Sequence, residues 1–198
     1  LHSGLEELSK QRKIKVLRGA GFFQSSNRIV LENKESIDFE KCIVAVGSEN
    51  ALLPGIPDDI RVLDSTRALD LEKIPKSLLV VGGGIIGLEM ACVYNALGSK
   101  ITVAELTETL MPGTDKDLVS TYSRYIGSRY EGIFLNTKVS KIEPKKSGLK
   151  VFFEGKECPN SKVFDNILIA VGRRSNGNNI GLENAGVNID KHGIISVD

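Results

Sequence analysis

The chain has 198 residues, of which 41% are hydrophobic and 26% charged, and its formal net charge is +1. This composition is typical of a globular protein with a sizeable core, and the charge gives no electrostatic reason to expect a nucleic acid or an anionic membrane as partner. No apolar run approaches the roughly 20 residues that span a bilayer. The sequence starts at Leu1 without a Met or a signal pattern, which we interpret as a cut within a longer chain.

The first part of the chain predicts short helices and strands. An amphipathic helix end is expected over residues 5–13, and strands over 14–17, 28–32 and 41–46. The last of these runs is apolar and β-branched, as in a strand buried on both faces. A rigid turn is expected over 52–57. Ser65 is then expected to cap a short helix that runs through Leu71.

From Ser77 the pattern becomes regular. A strand over 78–81 is followed by a glycine turn over 82–87, a helix over 88–97 and a strand over 101–105. Asp115 is expected to cap a second helix that ends near Arg129. Further strands are expected over 138–143, 149–154 and 166–171. Strand–helix–strand order with short connections predicts a parallel, doubly wound sheet with the glycine turn at its carboxyl edge, where ligands bind.

The glycine turn carries the pattern GxGxxG at Gly82, Gly84 and Gly87. Gly82 permits a tight turn out of the strand, Gly84 lets a pyrophosphate approach the backbone, and Gly87 lets the helix pack closely on the sheet. The free N–H groups of the helix N-terminus then face the phosphate charge. Such a motif is weak evidence alone, but here a strand precedes it and a helix and a second strand follow.

Two acidic residues accompany this turn. Glu105 ends the second strand, near the expected spacing of about 20 residues, and its carboxylate can accept hydrogen bonds from the adenosine ribose hydroxyls. A 2′-phosphate would meet an uncompensated negative charge there, so the sequence favours NAD over NADP. Glu89 lies in the first turn of the helix and either complements the positive helix end or serves the nicotinamide side of the dinucleotide.

The cysteines and histidines exclude several classes of site. Cys42, Cys92 and Cys158 stand far apart and form no CxxC or CxxxxC pair, which argues against a disulfide scaffold and fits a reducing compartment. We interpret all three as ordinary buried cysteines. His2 and His192 are isolated, so neither a metal site nor a nucleophilic triad is expected, and no catalytic residue is assigned.

Two flanking segments carry a resemblance to a known family. Val46-Gly47-Ser48 with Leu53-Pro54-Gly55, and Val171-Gly172-Arg173-Arg174-Ser175-Asn176, resemble the paired motifs that bracket the NAD domain of flavoprotein disulfide reductases. The chain departs from those motifs where Val46 replaces the usual Thr and Ser175 the usual Pro. Together with Asp64-Ser65-Thr66 and Asp115-Lys116-Asp117, the glycine segment is most similar to that of dihydrolipoamide dehydrogenases within this pyridine nucleotide-disulfide oxidoreductase family.

The resemblance implies an α/β fold: a Rossmann-like NAD-binding domain, with a parallel sheet, helices on both faces and a β-meander, flanked by pieces of a discontinuous FAD-binding domain. Residues 1–74 and 177–198 would be the FAD-domain pieces, and 75–176 the NAD-binding domain. Gly21 and Gly47 would lie near FAD. The NAD site would comprise Gly82, Gly83, Gly84, Ile85, Ile86, Gly87, Glu89, Glu105, Val139 and Gly172. Val139 reads equally well as a core strand residue.

The family resemblance also implies an activity and partners. A dihydrolipoamide dehydrogenase oxidises dihydrolipoamide, carried by the lipoyl domain of 2-oxoacid dehydrogenase complexes, through a redox disulfide and FAD, and passes a hydride to NAD. Such an enzyme is a homodimer of the cytoplasm, or of the mitochondrial matrix in a eukaryote. The redox cysteine pair and the catalytic His of the family are absent from these 198 residues, so this chain alone is expected to be inactive.

Two other interpretations stay open. The chain could be the NAD-binding portion of another flavoprotein of this architecture, such as a mercuric reductase or an NADH oxidase. It could also be a non-catalytic NAD-binding module. A glutathione-reductase-like enzyme fits less well, because those enzymes use NADP and carry arginines where this chain has Glu105 and Glu108.

Overall fold

The chain folds into two units in the computed structural model, which describes residues 2–51 and 53–197. One unit comprises Leu1–Ser48 together with Arg174–Asp198, and the other comprises Glu49–Arg173. The strand Val62–Leu63 pairs within the central sheet of the second unit, so this unit includes residues before 75. The domain boundaries expected from the sequence stay a prediction. Within the described ranges, no helix is both long and apolar enough to cross a membrane.

The first unit contains a helix and a small antiparallel sheet. Helix α1 spans His2–Gln11, and the sheet has the strand order β1-β2-β3. Phe23 and Leu31 are buried, and the Phe23 N–H donates to the carbonyl of Ile180 at 2.8 Å. A 3-10 turn over Leu182–Ala185 completes the unit. The strands are β1 (Gly21–Ser25), β2 (Arg28–Leu31) and β3 (Ser36–Asp38).

Two of the strand predictions for this unit, over residues 14–17 and 41–46, are wrong. Residues 14–17 form no strand, and Val16 is 62% exposed. The apolar run 41–46 also forms no strand, and Ile43 is 93% exposed rather than buried. A buried strand needs hydrogen-bonded neighbours, and among the described residues no strand pairs with either run.

The second unit is built on a five-stranded parallel sheet with the order β5-β12-β6-β7-β8. Leu78, Leu79 and Val80 of the central strand are fully buried, as expected for a strand covered on both faces. The registers are regular, with Val81 opposite Ala104 on one side and Ile169 on the other. The strands are β5 (Val62–Leu63), β6 (Ser77–Val81), β7 (Lys100–Ala104), β8 (Gly132–Phe134) and β12 (Asn166–Ile169).

Different layers cover the two faces of this sheet. Helices α2 (Ile85–Ala96) and α3 (Lys116–Gly127) pack on one face through residues such as Leu88, Tyr94 and Ile126. On the other face lies an antiparallel meander with the order β11-β10-β9. The α/β fold and the meander are confirmed, and the meander covers the face on which a second helical layer was expected. Its strands are β9 (Lys138–Lys145), β10 (Gly148–Glu154) and β11 (Ser161–Phe164). The short strands β4 (Ser48–Asn50) and β13 (Arg173–Ser175) complete the set.

The predicted helix caps need two corrections. The helix expected from Ser65 to Leu71 is only a 3-10 turn over Arg67–Leu69, and Asp64, not Ser65, accepts the Arg67 N–H at 2.8 Å. Asp115 does occupy the N-cap position of α3, but its carboxylate makes no capping hydrogen bond. Part of the predicted turn over 52–57 falls on Leu52, which lies outside the described residues.

The three cysteines are free, but they are less buried than we predicted. Cys42 and Cys92 are exposed, and Cys158 is half-buried. Cys92 belongs to α2, whose buried residues are Gly87, Leu88, Ala91 and Tyr94. The prediction of buried cysteines is therefore wrong for the two exposed residues, because it relied on the usual behaviour of the residue type rather than on position along the helix.

An ion pair fastens the segment before β5 to the meander. Arg61 forms two parallel hydrogen bonds with the Asp59 carboxylate, at 2.8 and 2.7 Å, and its Nη1 donates to the Lys145 carbonyl at 2.9 Å. These guanidinium bonds, with the Arg61 backbone N–H, lower the pKa of Asp59 to about 2. The Asp59 side chain is only 15% exposed, so water screens this pair less than it screens a fully exposed pair.

Asp59→Asn is expected to lower the free energy of unfolding at pH 7 by about 1 kcal/mol, a value reduced for the partial exposure of the pair. The folded-state pKa lies below the ordinary Asp value near 4, so the stabilisation is complete above that pH and is lost as the pH falls towards 2. Urea unfolding of both proteins at pH 7, 4 and 2.5 should therefore show a difference that shrinks with acidity. Asp58→Asn, which removes a neighbouring exposed charge, serves as the control, and a pH-independent difference would contradict the prediction.

Candidate functional site

The glycine turn lies where β6 ends and α2 begins, and two of its glycines are required by packing. Gly82 has a φ of 104°, and a Cβ there would overlap the Ala170 carbonyl at the end of β12. A Cβ at Gly87 would overlap the Gly82 carbonyl oxygen. The Gly82 N–H donates to the Ala104 carbonyl at 2.9 Å. The turn is thus held tightly between the ends of β7 and β12, and α2 starts directly against it.

Gly84 has a different environment from the other two glycines of the motif. It is the N-cap residue of α2, with a φ of −76° and a ψ of 178°, a conformation that any residue can adopt. A Cβ at this position would meet no protein atom within 4 Å. Gly84 lines a cavity, so a side chain here would occupy space outside the protein's own packing, at the positive end of a 12-residue helix.

Glu105 follows β7 and holds the glycine turn from the other side. Its Oε2 accepts the Gly83 N–H at 2.6 Å, and its Oε1 accepts the Thr107 N–H at 2.8 Å. The Thr107 hydroxyl, which has one proton, lies 2.8 Å from both this Oε1 and the Thr109 carbonyl oxygen. The residue is 7% exposed and lines the cavity. A carboxylate has about four acceptor positions, and these bonds leave at least one for a ligand. The sequence predicted the ligand-facing role of Glu105 but not this internal one.

The loop after Glu105 folds back onto the glycine turn. The Met111 N–H donates to the Gly83 carbonyl at 2.9 Å, and Met111 has a φ of 47°, which is uncommon for a residue other than glycine. Leu110 is buried and would lie 2.5 Å from a Cβ at Gly83. A side chain at Gly83 would therefore crowd Leu110, and the Gly83 backbone is bonded on both its N–H and its carbonyl.

The cavity has a volume of about 1070 Å³, at the upper end of the range for small-molecule sites. It lies at the carboxyl edge of the parallel sheet, because residues within two positions of the carboxyl ends of β5, β6, β7 and β12 all line it. Seven of the predicted NAD-site residues belong to its lining: Gly82, Gly84, Ile85, Ile86, Glu105, Val139 and Gly172. The structure thus brings together residues from the glycine turn, β7, β9 and the end of β12.

Five predicted residues lie outside the cavity lining. Gly83 and Gly87 are buried in the turn itself, and Glu89 is exposed on α2. Gly21 and Gly47 belong to the first unit. Gly21 pairs with Leu31 in the antiparallel sheet, and Gly47, with a φ of 70°, accepts the Asn176 N–H at 3.1 Å. A flavin-side role for Gly21 and Gly47, and a nicotinamide-side role for Glu89, stay predictions.

Several polar residues of the cavity were not found by sequence reasoning. Asn50 ends the short strand β4 and Ser65 lies in the loop after β5, both before the glycine turn, and their side chains are joined by a hydrogen bond of 2.8 Å. Thr107, Thr137 and Lys138 line the cavity beside Glu105 and Val139. Only Thr107 had a usable signal, since it is a polar residue just past the acidic end of a strand. Asn50 and Ser65 carry no local pattern that distinguishes them from surface residues.

Comparisons with known proteins agree with the fold and the motifs. The whole chain, residues 1–198, matches the family described as pyridine nucleotide-disulphide oxidoreductase. It is 42% identical over 203 residues to a dihydrolipoyl dehydrogenase of Haemophilus influenzae and 43% identical to one of Vibrio cholerae, covering 100% of this chain and 42% of each relative.

A solved structure, the HOCl-induced flavoprotein disulfide reductase RclA from Escherichia coli, superimposes with a TM-score of 0.85 at 27% identity. The alignment covers 100% of this chain and 45% of that protein. The chain thus spans less than half the length of these relatives. Because the family match extends over the whole chain, the resemblance predicted from the motifs is confirmed, and the chain belongs to the pyridine nucleotide-disulphide oxidoreductase family.

Proposed function

We propose that the cavity of the second unit binds NAD, with the adenosine ribose at Glu105, the pyrophosphate at Gly84 and the nicotinamide half beside Gly172. The supporting observation is the contrast between the glycines. A side chain at Gly82 or Gly87 would overlap protein atoms, whereas Gly84 faces open space in the cavity at the N-terminus of α2. Free N–H groups and the helix dipole make that point an anion site.

The topology of the sheet supports the same orientation. β6 lies between β7 and β12, and in open parallel sheets a dinucleotide lies across the carboxyl ends of strands on both sides of such a position. Glu105 stands on the β7 side and Gly172 on the β12 side. A remaining acceptor position of the Glu105 carboxylate suits a ribose hydroxyl, and its charge opposes a 2′-phosphate.

The whole enzyme to which we assign this unit is a dihydrolipoyl dehydrogenase. The names of the relatives from Haemophilus influenzae and Vibrio cholerae support this activity. We propose that the 75–176 region is its NAD-binding domain, that residues 1–74 and 177–198 contribute to an FAD-binding domain, and that the enzyme acts as a homodimer on dihydrolipoamide of a lipoyl domain. Bound NAD would supply the ring that accepts a hydride, while the residues of this chain bind and orient it.

A second candidate is another disulfide reductase of the same architecture. The superposition on RclA, a flavoprotein disulfide reductase, at a TM-score of 0.85 favours this possibility. Both candidates would use the NAD site described above and differ in the substrate of the whole enzyme. The higher identity to the two dehydrogenases, 42% and 43% against 27%, is the reason for preferring the first.

The NAD site is tested by titrating the purified chain with NADH and NADPH and following nicotinamide fluorescence. Saturable binding is expected for NADH, with NADPH weaker by about tenfold or more, since one unfavourable charge contact costs at least about 1.4 kcal/mol. Circular dichroism establishes that the chain is folded under the same conditions. A folded chain that binds neither nucleotide, or that prefers NADPH, would refute the proposed site.

A further inference from the structure

One wall of the cavity carries a polar side chain, that of Asn50, which the glycine motif does not account for. Its Oδ1 accepts a hydrogen bond from the Ser65 hydroxyl at 2.8 Å and another from Nη1 of Arg173 at 2.9 Å. The N–H of Ala51, the next residue, donates to the Gly172 carbonyl at 3.0 Å. Asn50, Ser65 and Gly172 all line the cavity, so side-chain and backbone bonds together hold Asn50 against this wall.

Arg173 fixes which way the Asn50 amide is turned. A guanidinium has five N–H donors and no acceptor, so the atom of Asn50 that faces Arg173 has to be the amide oxygen. The Ser65 hydroxyl bonds to the same oxygen. The amide nitrogen, with its two N–H donors, is consequently turned away from both partners and suits an acceptor oxygen.

The position of Asn50 assigns it to one end of a bound dinucleotide. The β7 side of the cavity carries Glu105, and the turn after β6 carries Gly84. When the adenosine ribose and the pyrophosphate occupy those two places, the other nucleoside extends towards the end of β12, where Gly172 and Asn50 stand. The polar groups of this wall are therefore the ones that would contact the nicotinamide nucleoside.

We propose that Asn50 is a specificity-determining residue for the nicotinamide half of the ligand, and that its amide nitrogen donates a hydrogen bond to an oxygen of that half. The acceptor is a hydroxyl of the nicotinamide ribose or the carboxamide oxygen of the ring, which share this chemistry. Ser65 and Arg173 act as positioning residues that hold the amide in this orientation. The inference rests on the NAD site proposed above and adds a contact outside the glycine turn and Glu105.

The test uses three ligands of increasing length on the full chain: ADP, ADP-ribose and NADH, with dissociation constants from calorimetry. Asn50→Asp keeps an oxygen for Ser65 and Arg173 and removes the N–H donors. It is expected to weaken NADH about tenfold and to weaken ADP much less, because ADP covers only the adenosine and pyrophosphate positions. If ADP-ribose weakens with NADH, the ribose is the acceptor, and if it does not, the carboxamide is; both results support the proposal.

Two further variants separate this contact from charge and from folding. Asn160→Asp adds the same charge at an exposed position outside the cavity and is expected to leave all three affinities unchanged. Asn50→Ala, which adds no charge, goes through the same series and decides the matter if circular dichroism shows that Asn50→Asp does not fold. Unchanged NADH affinity, or equal weakening of all three ligands, overturns the proposal. Failure of the unmodified chain to bind NADH would refute the NAD site itself before any variant is compared.

Discussion

Gly84→Val is expected to abolish NADH binding while leaving the fold unchanged. A side chain at this position meets no protein atom within 4 Å, and the backbone conformation is one that valine readily adopts. The added methyl groups would instead occupy the place where the pyrophosphate contacts the free N–H groups of α2. Losing two charge-assisted hydrogen bonds of about 1.5–3 kcal/mol each predicts a loss of affinity of at least about a hundredfold, measured by NADH fluorescence titration.

Gly87→Ala is the matched control within the same motif. Its Cβ would overlap the Gly82 carbonyl oxygen and lie 3.1 Å from Cγ1 of Val80, so the cost falls on the fold. Overpacking of this kind lowers stability by about 1–3 kcal/mol, which thermal unfolding followed by circular dichroism would detect. Normal NADH binding by Gly84→Val, or a loss of stability as large as that of Gly87→Ala, would contradict the assignment of Gly84 to the ligand.

The β6–α2–β7 unit of the central sheet could be predicted because its signals are local, whereas strands β5 and β8 were not predicted. In the segment Leu78–Val81 an apolar run meets a glycine turn, a helix and a second apolar strand, and each element has its partner nearby in sequence. The run 41–46 has the same composition, yet Ile43 is 93% exposed. The composition of a segment indicates that it would be stable as a buried strand, but it does not indicate whether neighbouring strands are present to pair with it.

The same limit applies to the candidate site, where only the residues with a local spacing signal could be predicted. Gly82, Gly84 and Glu105 follow from the spacing of one β–α–β unit, since each has a physical task that only its residue type performs. Asn50 and Ser65 reach the cavity from the segment before that unit, and an isolated Asn or Ser has the same local appearance on any loop. Their significance arises only from the tertiary contacts that bring Arg173 and Ser65 onto one amide oxygen.

The covering of the second sheet face was also beyond local reasoning. Two of the three meander strands, β9 and β10, were expected from the sequence, whereas β11 was not, and Val151 and Phe164 prove to be buried against the sheet. A strand pattern shows which residues face a core but not which core they face. The strands β9 and β10 were therefore predicted, but the sheet face that they cover was not, and a helical layer was expected there.

Glu105→Gln is expected to reduce the preference for NADH over NADPH by about tenfold or more. A 2′-phosphate adds a charge of about −1.5 to −2, and repulsion between unit charges about 4 Å apart near a protein surface is on the order of 4 kcal/mol. The neutral amide removes this repulsion, so NADPH gains affinity. NADH loses affinity, because a ribose hydroxyl bonds more weakly to an amide than to a carboxylate. Titration with both nucleotides gives the ratio of dissociation constants.

This substitution also has a cost for the fold, which the structure makes explicit. The Glu105 carboxylate accepts the Gly83 N–H on one oxygen and the Thr107 N–H on the other, whereas a glutamine offers a single oxygen. One of the two N–H groups loses its acceptor, and the free energy of unfolding falls by about 1–3 kcal/mol if it is the buried Gly83 N–H and by less if it is that of the exposed Thr107. Affinities are therefore compared at a temperature where both proteins are fully folded.

Glu108→Gln is the control that distinguishes the effect of the Glu105 charge from that of the total negative charge of the loop. Glu108 is exposed in the same loop and does not line the cavity, so its loss removes an equal charge without touching Gly83 or Thr107. A shift in the nucleotide ratio for Glu105→Gln alone means that discrimination depends on a carboxylate fixed at the end of β7. An equal shift for Glu108→Gln would contradict this, because the preference would then depend on the total negative charge of the loop and not on the position of the Glu105 carboxylate.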